Sequence, residues 1–393
     1  MEGVEGTLKI WKELGTMVFF ICILNGCAKP PDAKSENGLS YAKGDSEKEA
    51  EAFLENARAV SGYINAVEGG YQITCHLGEE ENGLDIDAFV DDIYMQDVHP
   101  LTAKAGSLNQ ENICRTFFEQ DDAEDITEKY LKELEAEIAK IPEEEREENQ
   151  PYMEPVQEFY LQGTSGNRSF GLSGTSFNYL DNHLYMQYED MCREEHNYGL
   201  TENIGKDFTI ETAWDEVENV MKKIGMEDIK LVSCAATVTP DGEGFYDMEY
   251  TAIVSGIPIL SRNQLILGYL CPYGDVEIGK AGIAEIDAHD LVWEQINVMD
   301  ESVMSAEDML AVLSQYVSDN KIAYTQGVTY DACELVYIIN TQDWQTAVFQ
   351  PAWHLYAKQP YPSGQEEGML FGIDTEVKEI LISATTGEVI PQW

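Results

Sequence analysis

The chain has 393 residues, of which 73 are acidic and 24 are basic, so its formal net charge at neutral pH is −49. This charge excludes most nucleic-acid binding and adsorption to anionic lipid through a basic face, because both depend on Lys and Arg side chains. With 44% hydrophobic and 10% aromatic residues, the chain nevertheless has the composition of folded domains, unlike an acidic disordered chain.

The first 26 residues are predicted to be a lipoprotein signal peptide (1–26). The apolar stretch from Leu14 to Leu24 is too short for a bilayer core, which needs roughly 20 residues, but it suits a secretory signal. The motif Leu24-Asn25-Gly26-Cys27 resembles the lipobox of bacterial lipoproteins, in which the Cys thiol receives a diacylglyceryl group before cleavage. The resemblance implies lipidation at Cys27 and a location at the extracytoplasmic face of the bacterial cell membrane. A plain signal peptide and an uncleaved apolar N-terminus are the alternatives.

Residues 27–48 are predicted to be a flexible tether. They are rich in Lys, Pro, Gly, Ser and Asp, and such a composition does not bury enough apolar surface to fold. The membrane is therefore an expected partner through the lipid anchor alone.

An N-terminal α+β domain is predicted over residues 49–200. Residues 71–76 and 84–90 alternate apolar and polar side chains around Asn82-Gly83, which indicates a hairpin. Residues 121–140 have the apolar spacing of one amphipathic helix, and the run from Pro155 to about Tyr188 is predicted to be rich in strands.

A C-terminal α+β domain is predicted over residues 201–393. Thr209 or Thr212 is expected to cap a helix that stops at Gly225, and Ser305 with Asp308 forms a capping box for a second helix. Each helix is followed by strands, which are predicted at 229–238, 245–254, 282–287, 291–296, 335–340, 347–357, 370–374 and 379–383. The pattern predicts an α+β fold whose antiparallel sheets are each packed by one or two helices.

The C-terminal half also resembles a known domain type. The helix to Gly225, its strand pair, Ser255-Gly256-Ile257-Pro258-Ile259, the segment 351–356 and the segment 382–390 look like PepSY-related lipoproteins. The mature chain is similar to uncharacterised lipoproteins of gut Gram-positive bacteria, and its terminal half to extracytoplasmic regulators of a cell-wall sensor kinase. The resemblance implies two PepSY-like units and an envelope location, and it transfers no catalytic residue.

No catalytic, metal or cofactor motif is found in the sequence. Cys192-Arg-Glu-Glu195-His196 only imitates a metal-protease motif, and the chain has no C-x-x-C pair. Asp85-x-Asp87 lacks the other ligands of a calcium loop, so acids on an exposed strand face are the simpler interpretation. We therefore expect no cofactor and no metal. Export makes one to three disulfides possible, whereas Cys234 and Cys333 are expected to be small core residues.

Trp353, His354 and Tyr356 form the one candidate binding surface in the sequence. Their aromatic rings suit a sugar or a peptide, although aromatic side chains in strands more often pack in a core.

These observations favour a non-enzymatic, lipid-anchored envelope protein that binds or regulates another envelope protein or a peptide. A carboxylate-dependent wall-active hydrolase or protease modulator is the first alternative, since 73 acidic residues leave many carboxylate pairs to consider. A solute-binding lipoprotein is the second.

Overall fold

A computed structural model of the chain describes residues 63–79, 82–92, 98–118, 122–140, 157–193, 197–200, 203–239, 242–260, 272–319, 329–341, 346–357 and 379–390. The predicted signal peptide, the tether with Cys27, His196 and the strand predicted at 370–374 lie outside these residues.

Five helices and nineteen strands lie in the described residues. The helices are α1 (Gln110–Phe117), α2 (Thr127–Ile138), α3 (Asn182–Arg193), α4 (Ile210–Ile224) and α5 (Ala306–Ser318). The strands are β1 (Ile64–Val67), β2 (Gly70–Glu79), β3 (Asn82–Asp91), β4 (Leu101–Ala105), β5 (Ala123–Asp125), β6 (Glu158–Gly163), β7 (Arg168–Ser173), β8 (Ser176–Asp181), β9 (Asn197–Leu200), β10 (Ile229–Val238), β11 (Gly244–Val254), β12 (Ile257–Pro258), β13 (Tyr273–Gly279), β14 (Gly282–His289), β15 (Trp293–Val298), β16 (Thr329–Thr341), β17 (Ala347–Tyr356), β18 (Glu379–Ser383) and β19 (Val389–Ile390).

The strands form two large sheets. Sheet 1 has the order β1-β2-β3-β16-β17-β18-β19, and β4 pairs with both β15 and β17. Sheet 2 has the order β5-β6-β7-β8-β14-β13-β11-β10-β9, with β12 paired to β11. Among these strands only β3 and β16 pair in parallel; their neighbours are antiparallel. The predicted α+β fold with mainly antiparallel sheets is confirmed.

The predicted division at residue 200 does not match this topology. Sheet 1 combines β1–β4 with β15–β19, and sheet 2 is made of the intervening strands β5–β14. Strand β8 from before residue 200 pairs with β14 from after it, with Asn178 opposite Asp287. Each sheet therefore takes strands from both sides of the boundary, because long-range pairing joins segments that a pass along the sequence treats separately.

One continuous core links the two sheets. Trp353 and Leu335 of sheet 1 belong to the same buried cluster as Tyr246 and Met248 of sheet 2. A short segment after β12 also joins them, because the Leu260 amide donates to the Tyr337 carbonyl at 2.8 Å. The sheets thus form one packed unit.

Helices α4 and α5 begin where the sequence predicts. The Thr209 hydroxyl accepts from the Thr212 amide in a capping box, and Gly225 ends α4 with a positive φ of 101°. Ser305 and Asp308 form the equivalent capping box of α5. Local hydrogen bonding alone determines these ends, and for that reason they are readable in sequence.

Helix α3 was not predicted, since its residues were assigned to a strand-rich run. Its start depends on Asp181, whose Oδ1 accepts from the amides of His183 and Leu184 at 3.0 and 3.3 Å. Tyr188 of α3 stacks on Phe245 of β11 with ring centroids 4.8 Å apart. Helix α3 therefore covers one part of sheet 2.

The hairpin of β2 and β3 is present, but its turn is displaced. Glu79 pairs with Asn82 and Gly78 with Gly83, so the predicted turn residues Asn82 and Gly83 lie within β3. The strand pairing thus extends further than the turn signal indicates.

Candidate functional site

Three neighbouring strands of sheet 2 each carry two acidic residues separated by one apolar residue. The six residues, named here the carboxylate face, are Asp247 and Glu249 on β11, Asp275 and Glu277 on β13, and Glu285 and Asp287 on β14. Side chains two residues apart on a strand project to the same side of the sheet. The pattern therefore predicts a paired set of acids on each strand.

The strand register aligns the six acids in two rows. In row 1, Glu277 lies opposite Asp247 on one side and Glu285 on the other. In row 2, Asp275 lies between Glu249 and Asp287 in the same way. Neighbouring strands are about 4.7–4.9 Å apart and the two rows are separated by about 7 Å along the strands.

The carboxylate face points away from the main core. The residues between the acids are Met248, Val276 and Ile286, and all three are fully buried in the core cluster. Because side chains alternate across a strand, the acids lie on the opposite side of sheet 2, the side that α3 partly covers.

A tyrosine beneath the sheet holds two of these strands in place. The Tyr250 hydroxyl donates to the Asp287 carbonyl at 2.9 Å, and its ring lies over Gly274. A Cβ on Gly274 would come within 2.3 Å of that ring, so only glycine fits there. This contact fixes β14 relative to β13 next to row 2.

Exposure changes across the face. Asp247 is exposed, Asp275 and Glu277 are partly buried, and Asp287 is only 6% exposed. The Oδ1 atom of Asp287 is buried and has no hydrogen-bond partner among the described residues. Buried polar atoms are nearly always hydrogen-bonded, so an unpartnered acceptor of this kind requires an explanation.

Four acids of the face have pKa values well above their ordinary ones. Burial, followed by neighbouring carboxylates, raises the pKa of Asp275 from 3.8 to about 7 and that of Glu277 from 4.5 to about 8. The same two causes raise the pKa of Glu285 to about 7 and place that of Asp287 well above its usual range. Several of these groups therefore exchange protons close to neutral pH.

Polar and aromatic side chains border the face. Ser233 on β10 donates to Glu249 Oε2 at 2.7 Å. Beyond row 2, the Tyr273 ring stacks on His289 with centroids 4.1 Å apart. Beyond row 1, the half-buried Tyr185 of α3 lies close enough to Glu285 and its neighbours for their charges to raise its pKa, after burial as the main cause.

Metal coordination is not preformed here. No group of three or more His, Cys, Asp or Glu side chains in the described part of the chain is arranged to hold a metal ion. Asp85 and Asp87, the acids singled out on β3, are exposed and accept hydrogen bonds from His76 and from Gln72 and Thr74, respectively, as simple surface groups do.

A second charged group, the His354 cluster, contains Lys230, Glu334, His354 and Glu379. Lys230 on β10 donates to Glu334 Oε2 at 2.7 Å, and His354 Nε2 lies 2.5 Å from Glu379 Oε2. His354 Nδ1 lies 3.7 Å from Glu334 Oε1. Burial alone would raise the pKa of Glu334, but the contact with His354 and the charge of Lys230 lower it to about 2.

The candidate aromatic surface of the sequence is divided between two faces of β17. His354 and Tyr356 stack with ring centroids 4.5 Å apart, as neighbours on one side of the strand. Trp353 is 1% exposed on the other side, where its Nε1 donates to the Met304 carbonyl at 3.1 Å. Trp353 is therefore a core residue, and the three side chains do not form a single surface.

The cysteines among the described residues form no disulfide. These are Cys75, Cys114, Cys192, Cys234 and Cys333. Cys333 is buried, as expected of a small core residue, and Cys234 is partly buried.

The acidic side chains of the carboxylate face were missed in the sequence. Their signal is the repeated acid-apolar-acid triplet: Asp247-Met248-Glu249, Asp275-Val276-Glu277 and Glu285-Ile286-Asp287. One such triplet is ordinary in a strand with one exposed side. Three triplets form one group of acids only when their strands lie side by side in register. The pairing of β11, β13 and β14 determines this.

Among the described residues, none of the five helices has the length and apolar composition that spanning a bilayer requires.

No protein-family model and no curated protein matches the chain. Among solved structures, the chain is similar to an uncharacterized protein from Eubacterium rectale ATCC 33656, with 12% sequence identity and a TM-score of 0.47. The similarity covers 87% of this chain and 99% of that chain. These comparisons assign no activity to the chain.

Proposed function

We propose that this protein is a non-enzymatic, lipid-anchored binding protein at the extracytoplasmic face of a bacterial cell membrane, and that its carboxylate face binds a cationic ligand. In the leading form of the proposal the ligand is a cationic segment of another envelope protein or peptide. The observation that carries it is the set of six carboxylates in register, with the unpartnered Oδ1 of Asp287 at its most buried point.

Electrostatics supports a positively charged ligand. The raised pKa values of Asp275 and Glu277 mean that their ionised forms are disfavoured by burial and by mutual repulsion. A cation at the face offsets both effects, since an opposite charge close to a carboxylate stabilises the ionised form. Such a ligand would also supply a donor to Asp287.

A generic trivalent cation tests this proposal without assuming a ligand. We would titrate the full chain, in mild detergent at pH 8, with hexaamminecobalt(III) by isothermal calorimetry. We expect saturable binding that the double variant Asp275→Asn/Asp287→Asn weakens by at least about tenfold, because close charge pairs couple strongly.

The matched control is Asp85→Asn/Asp87→Asn. It makes the same two Asp→Asn changes, but at positions that are exposed on β3. We expect it to change the affinity by less than about twofold, since exposed charges interact weakly. Equal weakening by both double variants would mean that net charge attracts the cation, and would refute a site on the carboxylate face.

The lipid anchor requires its own test. Leu24-Asn25-Gly26-Cys27 supports lipidation at Cys27. We expect Cys27→Ala to move the protein from the membrane fraction to the soluble fraction of the producing cells. Retention of the variant in the membrane would refute anchoring through Cys27.

A second candidate function is a carboxylate-dependent wall-active hydrolase. Asp275 and Asp287 favour it, because they are opposed carboxyl groups of raised pKa and acid catalysis uses one protonated and one ionised carboxyl. Incubation with purified cell wall would decide it: release of reducing sugars or amino groups that Asp287→Asn abolishes would establish catalysis and displace the non-enzymatic proposal.

A further inference from the structure

We infer that the carboxylate face binds a ligand with at least two primary ammonium groups about 7 Å apart, one group at each row, in preference to a divalent metal ion. This inference rests on the proposed function and specifies the ligand of the same site.

The spacing within a row suits an ammonium group. Carboxylates on adjacent strands start about 4.7–4.9 Å apart, and side chains of a sheet project nearly parallel to one another. An ammonium has three N–H donors and forms bonds of about 2.7–2.9 Å to carboxylate oxygens, so it bridges oxygens separated by about 5 Å. Glu277 and Asp275, at the centres of the two rows, are the positions where such a bridge meets a carboxylate on both sides.

The same geometry disfavours a calcium ion. Ca²⁺ takes about 6–8 oxygens at about 2.3–2.6 Å, which requires carboxylates that converge on one point. The described residues contain no such convergent group of three or more metal-binding side chains. A flat array with separated carboxylates matches several separate donors better than one small ion.

Each of the two rows binds its own ammonium group. Asp275 and Glu277 are two residues apart on β13, a rise of about 7 Å. One ammonium group does not reach both rows, whereas two groups held about 7 Å apart in one ligand do. Binding of the first group then makes binding of the second intramolecular, which raises the overall affinity.

Asp287 is the second and independent indication of a ligand. Its side chain is buried, and its Oδ1 accepts no hydrogen bond from the described residues. Register places it beside Asp275 in row 2, on the side of the sheet that carries the other acids. An N–H group of the ligand at row 2 would provide the missing donor.

The borders of the face suit the aliphatic part of the ligand. The Tyr273 and His289 rings lie beyond row 2, and Tyr185 lies beyond row 1. Aromatic rings pack against methylene groups and attract cations at their faces. Asp247 is exposed, so row 1 reaches solvent at its β11 end.

The test compares three probes on the full chain in mild detergent at pH 8: 1,4-diaminobutane, n-butylamine and CaCl₂. We expect the diamine to bind at least about tenfold more tightly than the monoamine. We also expect a tenfold excess of Ca²⁺ to change the affinity for the diamine by less than about threefold.

Two single variants locate the ammonium groups. Glu277→Gln in row 1 and Asp275→Asn in row 2 should each reduce diamine affinity to about the level of n-butylamine, because each removes the central carboxylate that bridges one ammonium group in its row. Asp85→Asn should leave it unchanged. If a variant does not fold, as judged by its unfolding transition, the comparison of the probes on the unaltered chain still decides the inference.

Equal affinities for diamine and monoamine, or displacement of the diamine by Ca²⁺, would overturn this inference. If hexaamminecobalt(III) still binds under either of these outcomes, the proposed function is retained. Loss of binding to every cation would overturn both, so the two failures are distinguishable.

Two sources of the same chemistry remain to be compared, a free polyamine and the lysine side chains of a peptide. Tighter binding of tetralysine than of spermidine would assign the site to a peptide segment. The reverse order would assign it to a small solute, as in the solute-binding alternative. Weak binding of both, close to that of n-butylamine, would overturn the inference.

Discussion

The carboxylate face and the His354 cluster differ in the charges that surround their acidic side chains. In the His354 cluster, Glu334 is hydrogen-bonded to Lys230 and lies beside His354, and its pKa falls to about 2. In the carboxylate face, Glu277 has carboxylates as its neighbours across both strands, and its pKa rises to about 8. Burial acts in the same direction on both residues, so the neighbouring charges decide the sign of the shift.

The His354 cluster is a structural cluster, whereas the carboxylate face is a candidate binding site. The His354 cluster contains its own positive charge and connects β10 of sheet 2 with β16 and β17 of sheet 1. The carboxylate face is bordered by Ser233 and aromatic residues, and burial and like charge are the main causes of its pKa shifts. A positively charged ligand would make the second region resemble the first.

The largest expected effect is loss of the imidazole in the His354 cluster. His354→Ala leaves Glu334 and the nearly buried Glu379 without the group between them, so we expect a loss of about 3–5 kcal/mol in the free energy of unfolding. Urea denaturation measures it. His76→Ala, which removes an exposed pair with Asp85, is the control and should cost less than about 1 kcal/mol. Equal losses of unfolding free energy in His354→Ala and His76→Ala would mean that the His354 cluster contributes no more to stability than an exposed ion pair.

The dependence of stability on pH should reflect the carboxylate face. The folded-state pKa values of Asp275, Glu277 and Glu285 exceed the ordinary values, so the folded chain binds more protons than the unfolded chain between about pH 4 and 8. Their contribution to stability is present at low pH and is lost as pH rises through about 7–8. Glu189 and Tyr185 of α3 also face this group.

We therefore expect the urea midpoint to fall between pH 5.5 and pH 8.5, by an amount equivalent to a few kcal/mol. A cationic ligand that binds the ionised face should reduce this fall. A midpoint that rises over this range would contradict the raised pKa values.

Neutralising one acid of the face should stabilise the chain without ligand. Asp275→Asn removes a partly buried charge that is repelled by its neighbours, so we expect a gain of about 1–3 kcal/mol at pH 8.5. The gain should become small at pH 5.5, where Asp275 is already protonated. Asp85→Asn serves as the exposed control, and an equal gain at both pH values would argue against repulsion as the cause.

The smallest expected effect is at the border of the face. Ser233→Ala removes the hydrogen bond to Glu249 Oε2, a loss of about 0.5–1.5 kcal/mol. Urea denaturation measures this loss. A variant as stable as the unaltered chain would mean that the hydrogen bond contributes nothing to stability.

Local sequence signals predicted elements but not their partners. The capping residues Thr209 and Ser305 and the stop at Gly225 are as expected, because each depends on contacts within a few residues. Helix α3 was missed because its cap, Asp181, is also the last residue of β8, so no loop separates the helix from the strand. The boundary at residue 200 failed for another reason: β8 and β14 pair across about a hundred residues, and nothing local to either strand specifies this.

The sequence by itself determined the charge, the α+β class, the helix caps and the lipobox-like motif at Cys27. Only the tertiary structure decided that three ordinary acid-apolar-acid triplets lie side by side, and that Trp353 and His354 face opposite sides of one strand. The physical reason is that side-chain alternation is a local property of a strand, whereas the neighbours of its side chains depend on pairing and register. A carboxylate has an ordinary pKa or a raised one according to those neighbours.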